Sequence, residues 1–252
     1  MFDPTKRFSN RVENYLKYRP RYPSGIIPLL ATECGLTPDS IVADVASGTG
    51  FLAELFLKNG NRVFGVEPNA EMRAAGENLL APYANFTSID GTAENTTLAS
   101  QTIDFVTVGQ AFHWFNREKT RAEFARILKP QGWVVIVWNG YRPEQTPLLS
   151  GYHEALLRYG TDYRDVRREI QDTHVETFFS PDVCKRAQFE FQQFFDFEGL
   201  KGRTLSASYA PQPGDLNYEP MVAELRKVFD TNQTAGLVAF DYNTEVYYGR
   251  LI

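Results

Sequence analysis

The segment Asp44-Val45-Ala46-Ser47-Gly48-Thr49-Gly50-Phe51-Leu52-Ala53 constrains what this chain can fold into more than any other. An apolar run leads through two glycines into apolar residues at helical spacing. Gly48, Gly50 and Ala53 satisfy G-x-G-x-x-G/A, and Glu67 follows Gly48 by 19 residues. This pattern marks a strand, a tight turn and a helix against a nucleoside-like ligand, with a distal acid placed to grip a ribose. The glycines let the backbone approach a ligand where a Cβ would collide.

The sequence around this segment repeats the same alternation. Short apolar runs at 41–45, 63–66, 86–89, 105–108 and 133–138 predict five strands. Such near-continuous apolar strands belong to a parallel sheet covered on both faces. Between them, Phe51, Leu52, Leu55 and Phe56 form one apolar helical stripe, with Gly60 where a carboxyl cap belongs. Asn69 is placed to cap a second helix, with Glu71 in its first turn. Asn116 is placed to cap another, with Ala122, Ala125, Ile127 and Leu128 inside and Pro130 ending it. The expected fold is α/β, a doubly wound and mostly parallel sheet.

The flanks break the alternation. Residues 1–25 are rich in Tyr, Arg and Pro, and 141–186 contain Leu148, Tyr152, Ala155, Leu156 and Tyr159 at helical spacing. The 252 residues therefore divide into a lid segment at 1–25, a cofactor-binding core at 26–140, a substrate lid insertion at 141–186, and the rest of the core sheet at 187–252. The lid is expected over the carboxyl edge of the sheet, where open α/β sheets bind ligands. The net charge of −5 supplies no general pull toward nucleic acid or an anionic membrane. No apolar run is long enough to span a bilayer, and the first residues lack the layout of a signal peptide. Cys34 and Cys184 make neither a disulfide framework nor a metal cluster. A cytoplasmic protein is the expectation.

The charge of the turn separates the cofactor classes. A dinucleotide rests its pyrophosphate on the helix amino end, and the carboxylate of Asp44 would repel it there. S-adenosylmethionine (SAM) carries an ammonium and a sulfonium instead, so Asp44 attracts it. Glu67 can accept hydrogen bonds from both ribose hydroxyls.

At Asp44–Gly50, Val66-Glu67-Pro68, Gly91-Thr92-Ala93-Glu94 and Leu128-Lys129-Pro130-Gln131-Gly132 the chain resembles the class I SAM-dependent methyltransferases. Through Val108-Gly109-Gln110-Ala111-Phe112-His113-Trp114-Phe115 and Tyr18-Arg19-Pro20-Arg21-Tyr22-Pro23 it is similar to the small-molecule branch that includes trans-aconitate methyltransferase-like proteins. The resemblance implies a seven-stranded Rossmann-like sheet whose last strand is antiparallel, with the final two strands in the carboxyl-terminal part. It implies that Asp44, Ser47, Gly48 and Gly50 line the methionine and ribose side, that Glu67 holds the ribose, and that Pro68 lies beside the adenine. Thr92, Ala93 and Glu94 would edge the adenine. Many relatives carry Asp where Thr92 stands. Gln110 would face the methionine moiety, and Arg19 would grip its carboxylate with two bonds.

Methyl transfer asks the protein to align an acceptor lone pair with the methyl–sulfur bond and to exclude water. A carboxylate acceptor needs no base; a hydroxyl or amine does. His113 is the candidate base or, with Trp114, Tyr18 and Tyr22, a wall of the acceptor pocket. His153 and His174 read as surface or packing residues. Arg164, Arg167 and Arg168 read as a solvated helix face or an attractor of anionic substrate. No Asn-Pro-Pro-Tyr, Asp-Pro-Pro-Tyr or Pro-Cys run follows the fourth strand, which favours a small-molecule acceptor over DNA. A nicotinamide-dependent oxidoreductase and a non-catalytic SAM-binding protein remain as alternatives, because a fold alone does not fix function.

Overall fold

The structure, a computed structural model, describes residues 11–169 and 172–251. Seven strands form one sheet in the order β3-β2-β1-β4-β5-β7-β6. They are β1 Ile41–Val45, β2 Arg62–Val66, β3 Phe86–Ile89, β4 Ile103–Gly109, β5 Leu128–Gly140, β6 Lys185–Phe195 and β7 Val238–Gly249. The first five run parallel, and β7 lies antiparallel between β5 and β6. This is the topology that the resemblance implies.

Alternation along each strand divides the core into two layers. Ala43, Val45, Val106, Val108, Val134 and Ile136 pack on one face, under α5 (Arg117–Ile127) and α8 (Asp172–Phe179). Val42, Phe105, Val135 and Val137 pack on the other, under α2 (Ile26–Cys34) and α3 (Phe51–Lys58). Asn69 caps α4 (Ala70–Leu80) by accepting from the Met72 N–H at 2.8 Å. Asn116 caps α5 by accepting from Lys119 N–H at 3.2 Å. The helix α5 ends at Ile127, so Leu128 and Pro130 belong to β5 instead. There Lys129 pairs with Asp104 at 2.9 Å, and Asp104 accepts from Ile41 N–H. The Leu128–Gly132 motif thus ties three strands together at the edge where β4 begins.

A third apolar cluster builds a helical layer against β7, called the lid for its position. It joins α6 (Pro147–Tyr159), α9 (Phe197–Leu205) and α10 (Tyr218–Asn232) to Phe240 and Tyr242 of β7. The stripe predicted for the insertion is α6, with Leu148, Tyr152, Ala155 and Leu156 buried. The helix α1 (Val12–Tyr18) lies on α9, where Gly202 makes room for the Tyr18 ring. Arg11 donates to the carbonyls of Leu205 and Ala207. Two features differ from the expected division. The tail at 187–252 carries the two expected strands, and it also carries the lid helices α9 and α10. Within the predicted lid insertion, α8 packs beside α5 against the sheet, with Val175, Phe178 and Phe179 in the core. The first ten residues of the predicted lid segment lie outside the described residues, as do the side chains of Arg167 and Arg168. Arg164 is exposed on α7 (Tyr163–Glu169). No helix among the described residues is long and apolar enough to cross a membrane.

Candidate functional site

A cavity of about 300 Å³ opens at the carboxyl ends of β1, β2 and β4 and runs beneath the lid. Its floor begins with the turn after β1. Gly48 and Gly50 have φ values of +56° and +84°, which side chains rarely adopt. A Cβ on Gly50 would stand 2.6 Å from Cδ1 of the fully buried Leu80. Gly50→Ala is therefore expected to destabilise the chain by about 1–3 kcal/mol, from left-handed strain and overpacking. Urea denaturation checks this; an unchanged midpoint would show that the turn relaxes freely. Gly76 of α4 has no Cβ to press on the Gly48 carbonyl, so the helix backs directly onto the turn.

Two non-glycine residues beside the cavity are also left-handed: Ala46 at φ +56°, after β1, and Gln110 at φ +62°, after β4. Backbone strain of this kind is held by surrounding structure and clusters at ligand sites. The N–H of Gln110 donates to Val137 O at 2.9 Å, and its Nε2 donates to Asn139 O at 3.1 Å. These bonds fix Gln110 at the cavity wall.

Glu67 is 7% exposed and accepts twice from backbone, from Gly48 N–H at 2.9 Å and Asn69 N–H at 2.8 Å. Its two oxygens keep lone pairs for further donors. Burial raises its pKa, against the hydrogen bonds from Asn69 and Gly48. Asp44 differs from expectation. It does not line the cavity; it lies 1% exposed beneath the turn. Its position in β1 puts it on the face of Val42, which α3 covers. There Asp44 accepts from Ala53 N–H at 3.0 Å and from Thr107 Oγ1 at 2.9 Å. It thereby caps α3 from a neighbouring strand, since Gly50 offers no side chain to do so. Burial pushes its carboxyl up to about 7, partly opposed by the Thr107 and Ala53 hydrogen bonds, and the charge of Glu67 adds to the rise.

Of the residues expected in the site, Arg19, Gly48, Glu67, Pro68, Thr92, Ala93, Glu94, Gln110, His113 and Trp114 line the cavity. Ser47, Gly50, Tyr18 and Tyr22 do not. Ser47 and Gly50 shape the turn, where Gly50 N–H donates to Ser47 O at 2.8 Å. Tyr18 packs on α9, and Tyr22 packs where Gly109 lacks a Cβ. Arg19 donates through Nε to Ser206 Oγ at 2.8 Å. Glu94 accepts from Asn116 N–H at 2.8 Å. His113 sits in a short 3-10 turn, Phe112–Trp114, its ring centroid 4.4 Å from that of Trp114.

The aromatic residues of the insertion, open in the sequence between pocket lining and packing, include Tyr141 and Tyr163 in the cavity wall; Tyr15, Arg203 and Tyr209 also line it and sequence reasoning missed them. The Tyr141 and Tyr163 hydroxyls lie 2.6 Å apart, and Tyr163 bonds His153 Nδ1 at 2.7 Å. His153, read as a surface or packing residue, thus connects to the cavity through Tyr163. No group of three or more metal-ligating side chains occurs among the described residues.

These features fit an adenosyl compound with a cationic amino-acid tail. Glu67 offers acceptors to hydroxyls, two strained turns bring backbone to the cavity, and Asp44 and Glu67 favour positive charge. The Ala53 N–H at the start of α3, where a pyrophosphate would be drawn, is already taken by Asp44.

The comparisons agree with this chemistry. The pattern of a family described as "Methyltransferase domain" matches residues 43–136. An uncharacterized methyltransferase of Mycobacterium bovis is 32% identical over 207 residues, 82% of this chain and 79% of that protein. An uncharacterized methyltransferase-like protein of Schizosaccharomyces pombe is 30% identical over 158 residues, 62% of this chain and 60% of that protein. The solved structure of the YcgJ protein from Bacillus subtilis shares the fold, with a TM-score of 0.60 and 22% identity over 90% of this chain and 98% of that one. The nicotinamide alternative is not favoured. The chain belongs to the class I methyltransferases, enzymes that use S-adenosylmethionine.

Proposed function

We propose that this enzyme methylates an oxygen or nitrogen atom of a small molecule bound between the sheet edge and the lid. The single observation carrying this reading is the open cavity, which continues from Glu67 and Gly48 past Gln110 to aromatic walls supplied by the lid. Such concave, largely apolar sites with few polar groups suit small ligands. The similarity to the trans-aconitate methyltransferase-like branch supports the same reading.

When bound, SAM supplies a methyl group on a cationic sulfur that departs by in-line displacement. Glu67 would hold the ribose hydroxyls, with the Gly48 turn against the methionine side and Pro68, Thr92, Ala93 and Glu94 around the adenine. Arg19, steadied by Ser206, would grip the methionine carboxylate. Asp44 would act from beneath the turn, through its charge. Gln110 would set the position of the methionine moiety. Trp114, Tyr141 and Tyr209 would exclude water from the acceptor. His113 would take the proton of a hydroxyl or amine acceptor; an acceptor that is already anionic needs no such base.

SAM and S-adenosylhomocysteine are expected to raise the melting temperature by mass action, and NADH is not. Transfer of a labelled methyl group to members of a panel of small phenols, amines and acids tests the rest. Stabilisation by NADH without a response to SAM would reverse the cofactor assignment. Good SAM binding with transfer only to a macromolecule would overturn the small-acceptor reading.

A further inference from the structure

Resting on the reading of the cavity as a methyl-transfer site, we propose that Arg203 holds a carboxylate of the methyl acceptor, as a handle set apart from the atom that is methylated. Arg203 lies on α9, is 3% exposed, and lines the cavity. Its Nε donates to the Tyr242 hydroxyl at 3.0 Å and its Nη1 to the Tyr152 hydroxyl at 3.1 Å. The Phe240 ring centroid lies 4.7 Å from the guanidinium carbon. Among the described residues no carboxylate pairs with it. A buried cation is costly unless an anion accompanies it. Here the hydroxyls and ring faces fix the guanidinium in place without neutralising it. Two of its five N–H groups are used by these bonds, so a forked set remains for an oxyanion.

The charge balance favours a carboxylate over a phosphate. Arg203 offers one unit of charge. The other cavity arginine, Arg19, is bonded to Ser206 and is assigned to the methionine carboxylate. Two arginines then meet two singly charged groups.

The sheet order places this handle away from the chemistry. Gln110 follows β4, whereas Tyr242 belongs to β7, two strands further along. At about 4.8 Å per strand this is roughly 10 Å. A guanidinium also draws charge from the carboxylate it grips, which makes those oxygens poorer nucleophiles. Tyr141, Tyr163 and Tyr209 line the same cavity. The acceptor is thus an acid whose apolar body separates the carboxylate from the accepting atom.

The test is calorimetric titration of the chain saturated with S-adenosylhomocysteine. The probes are straight-chain monocarboxylates from propionate to octanoate and the corresponding primary amides. Acids are expected to bind at least tenfold more tightly than amides of equal length. Arg203→Met is expected to lose that preference while its affinity for S-adenosylhomocysteine stays within twofold, and Arg203→Lys to keep part of it. Equal binding of acids and amides by the native chain, or no binding of acids, overturns the proposal, and this comparison needs no variant to fold. Loss of S-adenosylhomocysteine binding in Arg203→Met with the acid preference intact overturns it too, by assigning the arginine to the cofactor. A native chain that never binds S-adenosylhomocysteine defeats the reading of the cavity itself, and that result is seen before any acid is added.

Discussion

Asp44→Asn is expected to raise the melting temperature of the free chain at pH 8 and to weaken its binding of SAM. The carboxyl of Asp44 is pushed up to about 7, chiefly by burial. In the unfolded chain an aspartate titrates near 3.9. Between these values the folded chain holds the proton and the unfolded chain does not. The unfolding free energy therefore falls as pH rises, and the loss is complete above about 7. Three pH units at about 1.4 kcal/mol each amount to roughly 4 kcal/mol. Asparagine carries no charge to desolvate. Its oxygen can still accept from Ala53 N–H, and its amide can donate to the Thr107 hydroxyl once that group turns. The variant should gain about 2–4 kcal/mol at pH 8, roughly 5–15 °C for a chain of this size. The gain should shrink to about a third at pH 5. Thermal melts across that range, with and without SAM, measure both effects. A variant that melts lower at pH 8, or that keeps the full response to SAM, would show that Asp44 serves only to cap α3.

Glu67→Ala is expected to weaken SAM binding by two to four orders of magnitude. Two charge-assisted hydrogen bonds to ribose hydroxyls contribute about 1.5–3 kcal/mol each, and every 1.4 kcal/mol is tenfold in affinity. The substitution also leaves the N–H groups of Gly48 and Asn69 without their acceptor, which loosens the turn that the ligand rests on. Glu67→Gln keeps one acceptor oxygen and should fall between the two. Calorimetry with S-adenosylhomocysteine decides it. An affinity within threefold of the native chain in Glu67→Ala would remove the ribose from this residue.

Much of the core was legible because its elements obey local rules. The run at 41–45 is apolar at four of its five positions, Asn69 and Asn116 sit where caps belong, and the turn has glycines where a Cβ would crowd it. The lid was less legible. The helix α9 contains Gly199, Gly202 and Thr204, poor helix formers. Its helical state depends on the Asp196 cap, which accepts from Gly199 N–H at 2.7 Å, and on packing against α1. The phenylalanines of β6 continue into Phe197, the first residue of α9, so the residue types do not change where the strand gives way to the helix. The stripe of Met221, Leu225 and Phe229 in α10 is present in the sequence. Arg203 could not be singled out, because its interest lies in its burial without an acid, which only tertiary packing creates. Asp44 was recognised but misplaced. Counting two along the strand from Val42 would have turned it toward α3.

The Arg11 and Arg19 contacts with 205–207 join positions nearly two hundred residues apart. Tyr15 on α1 and Arg203 on α9 share one wall of the cavity, so that wall exists only once these two helices have met. Closing a loop of that length costs entropy, so this wall is the part of the cavity that depends most on the fold as a whole.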